Sequence, residues 1–167
     1  MVLQGSIQNF PKEIRILILV YLVVTSIGFV SALQFVNTTT EGGQPKGIEE
    51  NYLGNEDDLE AIEMKFAKSE KQILNIVHAH MLSMGMLFLI LALLVATTPL
   101  KGVIRKLLLF EPLISVLLTF GGIYFLWKGM LWMKYVIMIS GIAMTLSYVV
   151  SVLVVGYCAI KSKNLSD

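Results

Sequence analysis

The stretch ILNIVHAHMLSMGMLFLILALLVA, residues 73–96, decides the fold. It contains no Asp, Glu, Lys or Arg. A bilayer core needs about 20 mostly apolar residues per helix, because backbone amides in hydrocarbon must be hydrogen-bonded within their own helix. Three further segments meet this requirement, so the predicted spans are residues 16–36, 73–96, 107–127 and 135–160. The sequence therefore predicts an all-α fold, a four-transmembrane-helix bundle forming a single integral membrane domain over residues 1–167.

The overall composition agrees with a membrane protein and excludes other classes. Hydrophobic residues make up 56% and charged residues 15% of the chain, against about 45–50% and about 25% in soluble domains. Cys158 is the only cysteine, which excludes an internal disulfide. The net charge is only +1, and the Lys and Arg residues are spread between the apolar runs. Binding to phosphates needs clustered basic residues. We expect the lipid bilayer as partner surface and no nucleic acid.

The charges between the spans predict the orientation. With the amino terminus inside, seven basic residues lie on the cytoplasmic side and six outside, which favours this orientation narrowly. Both termini are then cytoplasmic. The first span is too long for a signal-peptide core of about 7–15 residues, so we expect it to be retained.

The extracytoplasmic loop, residues 37–72, holds most of the aqueous charge. It carries nine acids and four lysines, a local net charge of −5. Residues 42–45, Gly-Gly-Gln-Pro, predict a turn. Asn55 followed by three acids is typical of a helix N-cap. A short amphipathic helix is therefore predicted to start near Asn55 and to join the second span, with its apolar face formed by Leu59, Ile62, Phe66, Ile73 and Ile76.

Small side chains mark the predicted contacts between helices, because they permit close backbone approach in a membrane. They recur on three of the spans, at Gly28 and Ala32, at Ser115, Thr119 and Gly122, and at Ala143, Ser147 and Ser151. No ionisable residue accompanies them through the midplane, so we interpret these positions as packing surfaces and not as a polar path.

The only two histidines, His78 and His80, lie in the second span. An imidazole within hydrocarbon is costly unless it has a partner, so either structural hydrogen bonds or a cofactor would account for the pair. At about 100° per residue the two side chains point about 200° apart. They therefore cannot hold one ion together or supply both ligands of one haem.

Soft sulfur donors and lysines are predicted on the same side of the membrane as the histidines. The sulfur donors are Met81, Met84, Met130 and Met133, and the lysines that would neutralise propionates are Lys71, Lys128 and Lys134. Imidazole and thioether ligands suit haem iron and Cu(I). The sequence therefore predicts haem b bound by His78 or His80, with Met130, Met133 or a neighbouring subunit completing the coordination. Copper is the alternative, with ligands drawn from His78 or His80 and from Met81 and Met84.

Other chemistry finds less support in the sequence. His-Glu-x-x-His is absent, so a zinc hydrolase is excluded. Cys158 lies far along the chain from both histidines, so nucleophilic catalysis finds no support. Glu111 precedes Pro112 inside the third span. Two interpretations of this carboxyl group stay open, namely an ion pair with Arg105 or Lys106 and a contact with a proton or a quinone.

Several short motifs resemble those of small four-helix proteins of the bacterial inner membrane. The motifs are Gly47-Ile48-Glu49-Glu50, Gly54-Asn55-Glu56, Lys68-Ser69 and His78-Ala79-His80. Such proteins are similar in outline to haem-binding or respiratory-oxidase-associated subunits. The resemblance implies a redox or respiratory accessory protein that associates with other membrane subunits or with itself. The alternative is a structural or assembly subunit without a cofactor of its own.

Overall fold

The computed structural model describes residues 6–58, 61 and 63–161, and these residues form an all-helical structure. The helices are α1 (Lys12–Thr39), α2 (Pro45–Leu53), α3 (Glu70–Ala96), α4 (Gly102–Trp127) and α5 (Met133–Ile160), after a short 3₁₀ helix at Ile7–Asn9. The four long helices are each long and apolar enough to cross a membrane. The predicted all-α fold with four transmembrane helices is confirmed, and the predicted spans lie inside these longer helices.

The long helices alternate in direction, which defines two ends of the bundle. We call the end that carries α2 the loop end, and the end where α1 begins and α5 finishes the terminal end. At the loop end α3 begins with a capping box, in which Ser69 accepts from the Gln72 amide and Gln72 accepts from the Ser69 amide. This pair satisfies two of the amides that a helix start leaves free. It therefore fixes the start of α3 at Glu70.

The short helix of the loop lies elsewhere than the sequence predicted. It is α2, which follows the turn at residues 40–43 and has Pro45 in its first turn, whereas the described residues from Asn55 to Ser69 contain no helix. Instead of capping a helix, the Asn55 amide oxygen accepts from the Lys65 amide at 2.6 Å and its nitrogen donates to the Glu63 carbonyl. The predicted helix from Asn55 is therefore wrong, because Asn55 closes a loop; Leu59 and Ile62 lie outside the described residues.

Among the described residues, helices α4 and α5 have the most extensive contact of any two helices. Thr119 and Ser140 share a hydrogen bond of 2.7 Å between their hydroxyls, and Gly122 allows Ile137 to approach its backbone closely. Of the small residues predicted to mark contacts on these two helices, Ala143 is half-buried and the others are buried, namely Ser115, Thr119, Gly122, Ser147 and Ser151. Gly28 and Ala32 of α1 are exposed instead, so the prediction that they mark a helix contact is wrong.

Helix α1 packs on the bundle only along the part nearer the terminal end. The Tyr21 hydroxyl donates to the Leu87 carbonyl of α3 at 3.1 Å, and Phe29 stacks on Tyr148 of α5 with ring centroids 4.0 Å apart. Every residue from position 30 to position 38 is exposed. The loop-end half of α1 therefore stands away from α3 and α5.

Helix α2 lies across the loop end and is tied to the bundle by polar contacts. Lys134 at the start of α5 forms an ion pair with Glu49, and Lys65 pairs with the buried Glu50 at 3.7 Å. The Trp127 indole N–H at the end of α4 donates to the Lys68 carbonyl at 2.9 Å. These contacts place α2 and Lys68 as a roof above the space that α1 leaves open.

Candidate binding site

A cavity of about 840 Å³ lies between the loop-end halves of the long helices, under α2. Small-molecule sites have volumes of roughly 300–1,000 Å³ and mostly apolar walls with a few polar groups. Side chains of α1, α3, α4 and α5 supply the walls, and α2 with Lys68 supplies the roof. Exposed residues of α1 and α5, among them Phe35 and Ile142, belong to the lining. The cavity therefore also opens sideways between these two helices.

His80 stands on the wall of this cavity in a fixed orientation. Its Nδ1 lies 2.8 Å from the Ile76 carbonyl oxygen of the preceding turn, and its ring stacks on Phe120 of α4 with centroids 4.7 Å apart. A carbonyl oxygen only accepts, so Nδ1 carries the hydrogen and Nε2 of the neutral ring keeps its lone pair. His80 thus has one nitrogen held by the helix and one available to a ligand.

His78 has a different environment, although it is only two residues away. Both histidines are exposed, but only His80 is part of the cavity lining. Successive helix positions are rotated by about 100°, so a residue two positions away points to nearly the opposite side. The structure therefore brings His80, and not His78, to the cavity.

The predicted sulfur donors are dispersed. Met84 lines the cavity one turn from His80, whereas the Met81 methyl group packs near Gly121. Met133 is buried beside Gly122, and Met130 is exposed in the turn between α4 and α5. Met130 and Met133 do not line the cavity among the residues that the structure describes.

Two methionines of α5, Met138 and Met144, line the cavity and were missed in the sequence analysis. The distance of each residue from the start of its helix would have indicated Met144. Helices α3 and α5 both start at the loop end, and His80 and Met144 lie 10 and 11 residues after those starts. At 1.5 Å per residue both are about 15–17 Å along their helices, so they face the cavity from similar depths.

The predicted lysines have other partners or positions. Lys128 pairs with Glu70 at 3.8 Å, and Lys134 pairs with Glu49. Lys71 is exposed on the first turn of α3. None of these three lysines is part of the cavity lining in the described ranges.

Lys68 is the lysine that does reach the cavity. Its ammonium group donates to the Asn51 carbonyl at 2.6 Å and to the Asn51 side-chain oxygen at 3.2 Å. Burial lowers the Lys68 pKa, and the charge of Lys65 lowers it further. Among the described residues no carboxylate pairs with Lys68, and an ammonium group has three N–H donors. An anionic group in the cavity would therefore find a partner here.

The donor set does not form a site for a hard metal ion. Within the described part of the chain, no three His, Cys, Asp or Glu side chains come together. His80 and Met84, four residues apart on the cavity side of α3, are imidazole and thioether donors, a pair suited to a soft ion. The cavity is thus suited to an amphipathic molecule with an apolar body, an anionic edge near Lys68 and a contact with His80.

Comparison with known proteins places the chain in one family. Residues 42–165 match the model of the Aq_1264_TM family, described as a transmembrane helical domain. No curated protein and no solved structure matches. The matched part includes α2 to α5 and with them His80, Lys68 and Met144, whereas α1 precedes it. With a match over more than half of its length, this chain is an integral membrane protein that belongs to the Aq_1264_TM family of transmembrane helical domains.

Proposed function

We propose that this protein is a redox or respiratory accessory subunit that binds haem b in the cavity through His80. The observation that carries the proposal is the His80 ring, whose Nδ1 is held by the Ile76 carbonyl while Nε2 stays available on a cavity wall. Metal-ligating histidines characteristically donate their other ring N–H to a carbonyl or carboxylate, which fixes the tautomer. His80 replaces the earlier choice between His78 and His80.

A second residue that would hold the haem is proposed on α5. Met84 follows His80 by one turn on the same helix, so it is not proposed for this role. Met144 lines the cavity from α5 at a depth similar to that of His80. Histidine and methionine together are a known axial pair for haem iron. Met144 therefore takes the role that the sequence analysis gave to Met130 or Met133.

The roof of the cavity supports an anionic cofactor. Haem propionates would lie nearest the membrane surface, and Lys68 provides an N–H donor there. Lys128 and Lys134 are already paired with carboxylates, so we assign the propionate contact to Lys68. Copper remains the alternative cofactor, since Cu(I) accepts imidazole and thioether ligands, and His80 with Met84 would then be the ligands.

An optical spectrum with metal analysis of the purified protein tests this proposal. We expect a Soret band and iron in the wild type, complete loss of both in His80→Ala, and retention in the matched control His78→Ala. Met144→Leu should alter the spectrum, whereas Met138→Leu should leave it unchanged. Copper without a Soret band would support the alternative cofactor. A colourless, metal-free and fully helical wild type would refute the cofactor proposal.

A structural or assembly subunit without a cofactor is the second candidate. One observation favours it: the Ile76 carbonyl and the Phe120 ring already give His80 partners within the chain. In this case partner helices, from another membrane subunit or a second copy, would cover exposed surfaces of α1. Copurification of a stable complex that contains neither haem nor metal would support this candidate over the first.

The proposed localisation is a bacterial inner membrane, with both termini in the cytoplasm and α2 outside. To test it, single cysteines are introduced at Asp57, which is exposed in the loop, and at Lys101, which is exposed between α3 and α4, in a Cys158→Ser background. A membrane-impermeant thiol reagent added to intact cells should label Asp57→Cys, and Lys101→Cys only after lysis. The opposite pattern would reverse the orientation.

A further inference from the structure

Glu111 places a carboxyl group about one turn inside the third predicted span, residues 107–127. It lies nine residues after Gly102, the first residue of α4, which is about 14 Å along the helix at 1.5 Å per residue. An ionisable side chain at such a depth is costly and is usually retained for a function. The cavity described above lies toward the other end of α4, so Glu111 belongs to a separate part of the bundle.

The partners of Glu111 do not include a cation. One carboxyl oxygen, Oε1, accepts a hydrogen bond from the Ser115 hydroxyl, and the other, Oε2, is buried without a hydrogen-bond partner among the described residues. Arg105, one of the residues expected to pair with it, donates to the Ala96 carbonyl at 2.8 Å. No ion pair with Glu111 occurs in the part of the chain that the structure describes. The expected interfacial ion pair is therefore not formed.

The facing helix presents a second polar atom without a partner near this depth. The Thr119–Ser140 hydrogen bond fixes the register of the antiparallel α4 and α5, so that Glu111 is level with Tyr148 and about one turn from Ser151. Ser151 is 1% exposed, and its hydroxyl oxygen has no partner among the described residues. Two buried oxygen atoms thus lack partners within about one turn of each other.

Pro112 adds a third oxygen to this region. It has no amide hydrogen, so the Leu108 carbonyl one turn earlier loses its usual helical donor. Oxygen atoms without donors are the partners that a hydroxyl hydrogen needs. The region around Glu111 therefore has three oxygen acceptors without donors and one free hydroxyl donor, that of Ser151, among the described residues. An added proton would reduce this imbalance.

We propose that Glu111 is a proton-binding site, occupied as a carboxylic acid and not as a carboxylate. A lone charged carboxylate would be desolvated without compensation, whereas the acid form supplies an O–H donor to the surrounding oxygen atoms. At this depth the titratable side chain of α5 is Tyr148, and α3 has none between Met81 and Ala96. On α1, Tyr21 donates its hydroxyl to α3 and is not a cation. Among the described residues, no ion pair joins Glu111 to the cations at this end of the helices, which are Lys12, Arg15, Arg105, Lys106 and Lys161.

Reaction with dicyclohexylcarbodiimide, an apolar reagent that modifies protonated carboxyl groups in membranes, tests the proposal. The full-length protein in lipid nanodiscs at pH 7 should gain one adduct, located at Glu111 by mass spectrometry. Glu111→Gln should lose the adduct entirely, and the matched control Glu13→Gln, at an exposed acid of α1, should retain it. Thermal unfolding of each variant checks that the fold is kept.

Infrared spectroscopy covers the case in which the reagent fails to reach the site. The wild type at pH 7 should show the carbonyl band of a protonated carboxyl group, and Glu111→Gln should lack that band. Absence of the band in the wild type would overturn the proposal. If NaCl slows the modification relative to choline chloride at the same pH, the site binds a cation and the proposal is also overturned. The adduct, the infrared band and the effect of NaCl do not depend on whether haem binds at His80.

Discussion

Replacement of Gly47 by alanine is expected to detach α2 from the end of α1 and to destabilise the protein by about 3 kcal/mol, the upper part of the range for overpacked sites. A Cβ atom on Gly47 would lie 2.2 Å from the Thr40 carbonyl oxygen and 2.5 Å from its carbon. Both are backbone atoms, so no side-chain rotation relieves the overlap. Thr40 itself is held by a hydrogen bond of 2.7 Å to the Val36 carbonyl.

The measurement for Gly47→Ala is thermal unfolding in detergent, combined with hydrogen exchange of α2. A loss of 3 kcal/mol corresponds to roughly 6–12 °C in Tm for a domain of this size. The matched control is Gly28→Ala, because no heavy atom lies within 4 Å of the position its Cβ would take, and a change of no more than about 1 kcal/mol is expected. Equal effects of the two substitutions would contradict the close contact at Gly47.

Tyr148→Ala is the second large effect, and we expect a loss of about 3 kcal/mol. Tyr148 is 4% exposed, and its ring stacks on Phe29 and meets the edge of Phe88. Its hydroxyl also lies 3.2 Å from the hydroxyls of Ser26 and Thr25 on α1. Lipid supplies little hydrophobic drive between helices, so the loss comes mainly from the void and the missing contacts. Because α1 depends on this ring, it should separate from the bundle first.

Two further variants separate the contributions at Tyr148. Tyr148→Phe keeps the ring and loses the hydroxyl, which we expect to cost about 1 kcal/mol. Tyr157→Ala removes a tyrosine of the same helix that is 60% exposed, so its effect should stay within about 0.5 kcal/mol. Unfolding by denaturant, followed by circular dichroism, measures all three. A Tyr148→Ala variant as stable as Tyr157→Ala would contradict the role given to the ring contacts of Tyr148 with Phe29 and Phe88.

The helices were predictable because each span is specified locally. A run such as residues 73–96 satisfies its own backbone hydrogen bonds and needs only apolar side chains, both of which are visible in the sequence. The loop helix was placed wrongly because Asn55 is as good a loop-closing residue as it is a helix cap. Which role it takes depends on the Lys65 amide, ten residues away, and that contact is not encoded in a local pattern.

The candidate site was predictable only in part, for a similar reason. Helical periodicity correctly separated the directions of His78 and His80, but it did not say which of them faces the bundle. Lys68 was missed because its partner, Asn51, lies 17 residues earlier in the loop. The lysines that were chosen, Lys128 and Lys134, had carboxylate partners whose proximity results from the tertiary fold.

The separation of the loop-end half of α1 determines how a molecule would reach the cavity. Since the opening faces sideways between α1 and α5, a ligand arrives by diffusing within the plane of the bilayer and need not pass through water. Occupancy then follows the ligand's mole fraction in the membrane and not its aqueous concentration. A sparingly soluble molecule can therefore fill the cavity readily, and dilution of the protein into excess detergent or lipid should empty it even at constant total ligand concentration.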